Sequence, residues 1–161
     1  LYNVEIIKDV LNGHIDTLHF DEAWVPHAAF HNFYKNMHAI GENRPRAKDT
    51  IIFSTQSIHK LLAGISQASQ ILVQDSKTKR FDHNVFNEAY LMHSSTSPQY
   101  SIIASLDVAA AMMEPPGGKA LVEESIIEAL DFEYYSFVFL LSLGILTINY
   151  DHQVDFEVHQ V

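Results

Sequence analysis

Thr50-Ile-Ile-Phe-Ser-Thr55 and, fourteen residues on, Gln70-Ile-Leu-Val-Gln74 are the two stretches that decide the fold. Both are short apolar runs rich in β-branched residues, the composition of buried strands, and Leu61-Leu-Ala63 lies between them. Working outward, Ile15 to Phe20 reads as another short buried strand, closed by Asp21. Ahead of it Leu1, Val4, Ile7 and Leu11 share one helical face, and Gly13 marks a stop. Pro26 opens a turn, and His27 to Tyr34 reads as a short helix or a compact loop. Gly41 to Asp49, with Pro45, reads as a surface loop, and Asp75 to His83 as a solvated turn.

Downstream, helices are expected over Asn84–His93, Gln99–Met113 and about Ala120–Phe132. Ser94-Ser-Thr-Ser-Pro98 separates the first two, and its hydroxyls are candidate caps for the second. Glu114-Pro-Pro-Gly-Gly118 ends that second helix. Strands near Ile15–Phe20, Thr50–Ser54 and Gln70–Gln74, alternating with helices, predict an α/β fold. The expected sheet is mainly parallel, with flanking helices, and part of a larger sheet.

The composition excludes several classes. The 161 residues, 47% of them apolar, suffice for one domain with a core. Twenty acidic against ten basic residues give a net charge of -10, which argues against a nucleic-acid partner. The absence of cysteine removes disulfides, thiolate metal sites and a cysteine nucleophile. The start, Leu1-Tyr-Asn-Val-Glu5, has neither Met nor a signal peptide's basic and apolar regions, so a cytoplasmic fragment or processed piece is expected. Phe137 to Ile148, the longest apolar stretch, is shorter than the ~20 residues of a membrane helix, so no membrane partner is expected.

Three constellations could carry chemistry. Asp21 closes one expected strand and Lys60 lies just past another. In open α/β sheets ligands gather at the carboxyl ends of strands, so the two could converge. Ile58, Leu61 and Leu62 flank Lys60, and a lysine in apolar surroundings becomes a usable amine nucleophile. The plain alternative is that Lys60 reaches to the surface and Asp21 caps a turn. His27 and His31, spaced i, i+4, could face a metal in a hydrolase, with His19, His38 and Asp21 near in sequence; HExxH is absent. Gly64-Ile-Ser-Gln-Ala68 is one residue away from a serine nucleophile elbow, but it follows a helix-like stretch rather than a strand.

Phe20-Asp-Glu-Ala-Trp-Val-Pro26, Thr55-Gln-Ser-Ile-His-Lys60-Leu-Leu-Ala63, Ser66-Gln-Ala-Ser69 and Phe86-Asn-Glu-Ala-Tyr-Leu-Met-His93-Ser-Ser-Thr-Ser-Pro98 occur in this order. With Ala104-Ser105 and Ala109-Ala-Ala-Met-Met113 they resemble the bacterial ornithine/lysine/arginine decarboxylases, pyridoxal phosphate enzymes of fold type I, aspartate aminotransferase-like in their major domain. The resemblance runs from about Ile15 to Phe132. It implies residues 1–132 as a partial pyridoxal-phosphate-binding major domain and residues 133–161 as a divergent apolar tail, frameshifted or truncated.

Position by position, the resemblance implies a catalytic set of Lys60, Asp21 and His59. Lys60 would form the Schiff base with pyridoxal 5'-phosphate, and Asp21 would pair with its pyridine nitrogen. Ala23 would pack on the ring and Trp24 would lie near its hydroxyl. Ser57 and His59 would contact the phosphate. Thr96, with Ser95 and Ser97, would reach the phosphate region of a neighbouring subunit in a homodimer or higher homo-oligomer. Ile58 stands where the family usually carries Thr. The implied reaction decarboxylates lysine, arginine or ornithine to the diamine or agmatine. The rival expectation is an inactive decarboxylase-derived fragment that pairs with a full-length subunit.

Overall fold

The computed structural model describes residues 3–41, 44–143, 146–148 and 154–156. They divide into two units, Leu1–Lys119 and Ala120–Val161. In the first unit, Asn3 caps helix α1 (Val4–Leu11) by accepting a hydrogen bond from the Ile6 N–H at 3.2 Å. Gly13 follows the helix with φ +80°, a conformation that an L side chain resists. Val4 and Lys8 form the buried side of α1.

Three strands make the sheet: β1 (Thr17–Asp21), β2 (Ile51–Gln56) and β3 (Gln70–Gln74), in the order β1-β2-β3. β1 runs parallel to β2, from Thr17 opposite Ile51 to Asp21 opposite Thr55. β3 runs antiparallel to β2, from Gln74 opposite Ile52 to Gln70 opposite Gln56. The sheet is therefore mixed, which corrects the mainly parallel expectation. The cause is the connection. A parallel return needs a crossover, usually a helix of several turns, whereas helix α2 (Ile58–Leu61) is a single turn. The chain doubles back instead.

Side-chain alternation along the strands sorts the two faces. Phe20 and Ile52 join Val4 and Ala39 in the buried core, with Leu18 and Ile40 packed against it. On the other face Phe53 lies 5.9 Å from the ring of Phe86 and 6.1 Å from that of Phe81. The crossover from β1 to β2 carries two 3-10 turns, Pro26–Phe30 and Asn32–Tyr34.

Helix α3 (His83–His93) is capped by Asp82, whose Oδ1 accepts from the N–H groups of Asn84 at 2.9 Å and Val85 at 3.2 Å. Helix α4 (Tyr100–Met113) has Gln99 at its cap position with no side-chain bond, so the hydroxyls of Ser94 to Ser97 do not cap it as expected. Helix α5 (Gly117–Ser142) begins where a Cβ on Gly118 would overlap the Met113 carbonyl oxygen. α5 runs well past Phe132, because residues 133–142 contain no Gly or Pro to stop it. Strands β4 (Leu146–Ile148) and β5 (Val154–Phe156) pair antiparallel in the second unit. The apolar stretch Phe137–Ile148 falls on the end of α5, a turn at Leu143 and β4, apart from residues 144 and 145, which lie outside the described residues. Among the described residues, no helix is long and apolar enough to cross a membrane.

The core assignment has a direct check. Ile52 is 1% exposed and Ile71 43% exposed. Ile52→Ala should lower the unfolding free energy by roughly 2–5 kcal/mol and Ile71→Ala by far less. Equal losses in urea titrations would contradict the sidedness of the sheet.

Candidate functional site

The parallel pairing of β1 with β2 brings both carboxyl ends to one edge of the sheet. Asp21 ends β1, exposed, and its Oδ1 accepts a hydrogen bond from the Ala23 N–H at 3.0 Å. The Glu22 N–H extends the ladder by donating to the Thr55 carbonyl at 2.9 Å. On the exposed face, His19 Nε2 and Thr55 Oγ1 are hydrogen-bonded at 2.6 Å. From Gln56 the chain passes through Ser57 into α2, where the Lys60 Nζ lies 4.6 Å from the centroid of the Trp24 ring. An ammonium over an indole face is held by the ring quadrupole.

The apolar enclosure expected around Lys60 is not what forms. Ile58 is buried beneath α2, whereas Leu61 is 46% exposed and Lys60 itself is exposed. One turn of helix sends Ile58 and Lys60 in different directions, so the neighbours in sequence do not surround the amine. The plain alternative is also visible, since Asp21 does cap its own turn.

His59 fixes the loop beyond α2. Its backbone N–H and its ring Nδ1 both bond to the carbonyl of Ala68, at 3.1 Å and 2.9 Å. A carbonyl only accepts, so Nδ1 carries the proton and Nε2 is left outward with its lone pair. Ser57 occupies the cap position of α2, but its hydroxyl makes no cap bond. Ala23 is half-buried behind Asp21. Thr96 is exposed in the segment between α3 and α4, and among the described residues no hydrogen bond joins it to the Lys60 turn.

Glu22 is a residue the sequence reading passed over. It is 2% exposed and accepts three hydrogen bonds. Oε1 takes the Ala39 N–H at 2.6 Å, and Oε2 takes the Ser54 hydroxyl at 2.5 Å and the Gln56 Nε2 at 3.1 Å. Gln56 in turn accepts from Gln70 Nε2 at 2.9 Å, which carries the network on to β3. The phase of β1 held the signal, because Leu18, Phe20 and Glu22 alternate onto the same face.

The two remaining constellations come apart. His27 lies in the 3-10 turn Pro26–Phe30, and His31 sits beyond it with extended backbone, φ -140°, so they share no α-helical face. The His31 Nδ1 is engaged by the Phe33 N–H at 3.1 Å. Among the described residues no three His, Asp or Glu side chains could hold a metal ion together. Ser66 is exposed in the loop after α2, not on a strand-to-helix elbow.

Three comparisons bear on this site. The family model described as "Orn/Lys/Arg decarboxylase, major domain" matches residues 1–137. Lysine decarboxylase LdcA of Pseudomonas aeruginosa is 53% identical over 131 residues, which are 81% of this chain and 17% of that protein. The lysine decarboxylase of Hafnia alvei is 47% identical over 131 residues, again 81% of this chain and 17% of that protein. Among solved structures, the crystal structure of the Francisella novicida lysine decarboxylase LdcF aligns with a TM-score of 0.77 and 41% identity. It covers 88% of this chain and 18% of that one. The chain thus spans about a sixth of the length of the relatives it matches.

Two histidines near the site make stability depend on pH. Burial lowers the pKa of His27, whose Nδ1 is buried without a partner among the described residues. Burial likewise lowers that of His38. A histidine whose native pKa lies below its unfolded value charges first in the unfolded chain. Its contribution is therefore complete above the ordinary value of 6.5 and is lost as pH falls below it. His27→Phe keeps an aromatic ring against Tyr34 and removes the orphaned nitrogen. It should flatten the fall in melting temperature between about pH 7 and about pH 5. An unchanged slope would show that His27 is not a source of it.

Proposed function

The chain belongs to the Orn/Lys/Arg decarboxylase family, and we propose that it supplies the lysine–aspartate half of a pyridoxal phosphate site for decarboxylating a basic amino acid. The observation that carries this reading is the juxtaposition of Asp21 and Lys60 at the carboxyl ends of adjacent parallel strands, with Lys60 held beside Trp24. Strand carboxyl ends are where open α/β sheets take their ligands. The 53% and 47% identity to proteins named lysine decarboxylases makes lysine the first substrate to assay.

The residues present suit that cofactor. Lys60 offers an exposed amine for covalent attachment to its aldehyde. Asp21 has Oδ1 turned to the Ala23 N–H, which leaves Oδ2 to hold a proton at the pyridine nitrogen. Ser57 has a hydroxyl with no cap bond to break before it donates to a phosphate. His59 would meet the phosphate only through Nε2, since Nδ1 is tied to Ala68. When bound, pyridoxal phosphate supplies the electron sink for the pair left behind by departing CO2. Ala23 and Trp24 border the same space, and Thr96 would serve the site of a neighbouring subunit in a homo-oligomer.

Mixing the chain with pyridoxal phosphate, reducing with borohydride and mapping the peptides tests this directly. Saturable label on Lys60, lost in Lys60→Met, is the expected result. Asp21→Ala should weaken saturation by about tenfold or more through loss of a charge-assisted contact. Label scattered evenly over Lys77, Lys79 and Lys119 would overturn the assignment.

A further inference from the structure

Asp21 and Lys60 belong to different segments, and something must hold those segments in register. Two side-chain ties join the ends of β1 and β2. One is exposed, His19 to Thr55. The other is buried, from Glu22 to Ser54 and Gln56. Glu22 directly follows Asp21, and Gln56 directly precedes the Ser57–Lys60 segment.

These contacts close into a ring. Glu22 grips Gln56, Gln56 leads through Ser57 to Lys60, and Lys60 lies over Trp24. Trp24 leads back through Ala23 to Glu22, whose carbonyl accepts the Val25 N–H at 3.0 Å and so turns Trp24 toward α2. A buried carboxylate with matched donors resists displacement, because every shift uncovers a desolvated charge.

We propose that Glu22 is a positioning residue that sets Asp21 and the Lys60–Trp24 pair relative to each other. This rests on the decarboxylase reading for its purpose, but its geometry stands without it. Glu22 touches no candidate reacting atom. Its carboxylate fixes where two others stand. Replacing it by methionine, of similar length, removes every acceptor, so all three bonds are lost and the strand ends are released from each other, whereas an amide could turn its NH2 group toward Ala39 and keep both bonds to β2.

Trp24 is the single tryptophan of the chain and reports the Lys60 contact without any cofactor. The experiment compares Trp24 emission with and without Lys60→Met in three backgrounds: the natural chain, Glu22→Met and Val4→Ala. Val4 is a buried core residue of α1, so Val4→Ala lowers stability without touching the ring of contacts. The expected result is a Lys60-dependent component of the emission in the natural chain and in Val4→Ala, and its loss in Glu22→Met. Should Glu22→Met fail to fold, Gln56→Met removes one donor at similar volume and should lose the same component.

A Lys60-dependent signal that survives in Glu22→Met, or in Gln56→Met if that variant stands in for it, would leave Glu22 structural only and overturn the proposal. So would a natural chain in which Lys60→Met changes nothing, since there would be no pair to position. Absence of cofactor label on Lys60 would instead overturn the decarboxylase reading, while the emission result still decides the role of Glu22.

Discussion

A carboxylate removed from water costs several kcal/mol unless its lone pairs are matched, and the buried Glu22 is the constraint on which the rest of the first unit hangs. Its three partners come from two separate segments, Ala39 in the crossover and Ser54 and Gln56 on β2. Ala39 is gripped from its other side as well, because its carbonyl accepts a hydrogen bond from the Lys8 Nζ at 3.1 Å. Lys8 is itself paired with Glu5 at 3.4 Å, and Glu5 with Arg44 at 3.4 Å. Helix α1, the crossover and the sheet are thus joined by polar contacts threaded through an apolar core.

The sheet follows from how the chain connects its strands. Between Asp21 and Ile51 there is length enough to cross over and return parallel, and the 3-10 turns fill that path. After Gln56 the single turn of α2 reverses the chain. That reversal brings Gln70 beside Gln56 and lets β3 join the Glu22 network through its first residue. An antiparallel neighbour on one side of β2 and a parallel one on the other leave a single edge where strand carboxyl ends meet. Asp21 and the Lys60 turn stand at that edge.

Much of this was legible in the sequence, for identifiable reasons. The runs that became β1, β2 and β3 are apolar and bounded by polar or turn residues, and β3 spans the expected Gln70–Gln74. The helix expected over Asn84–His93 is α3, which begins one residue earlier, at His83. The direction of β3 was not legible, because it depends on how many residues of the connection become helical. Glu22 was missed because a second carboxylate beside Asp21 reads as solvated, and only partners as distant as Ala39 and Ser54 reveal its burial. The His27–His31 spacing misled because it presumes α-helical geometry, whereas Pro26 begins a tighter 3-10 turn. The chemistry of Lys60 and Asp21 rested on resemblance, and the structure adds that the two stand at neighbouring strand ends.

The exposure of those two groups has to be weighed against the character of α4. Ile102, Leu106, Ala109 and Met113 follow helical spacing, and the last three line a cavity of about 150 Å³ with Ile58 and Leu62. Yet Ile103, Val108 and Met112 are 51%, 55% and 47% exposed on the remaining faces. A helix apolar on every face has the composition of one enclosed by protein, not of one that borders water. In such a chain, exposure is a poor guide to which residues are surface residues by design. Hydrogen-bond commitment discriminates better. The Lys8 amine and the Glu22 carboxylate are committed to backbone and side-chain partners, while among the described residues the Lys60 amine rests only on an aromatic face. A cation–π contact orients the Lys60 side chain as the ammonium, so it restrains the group without committing its hydrogens to fixed acceptors, and the group must shed a proton before it can attack a carbonyl.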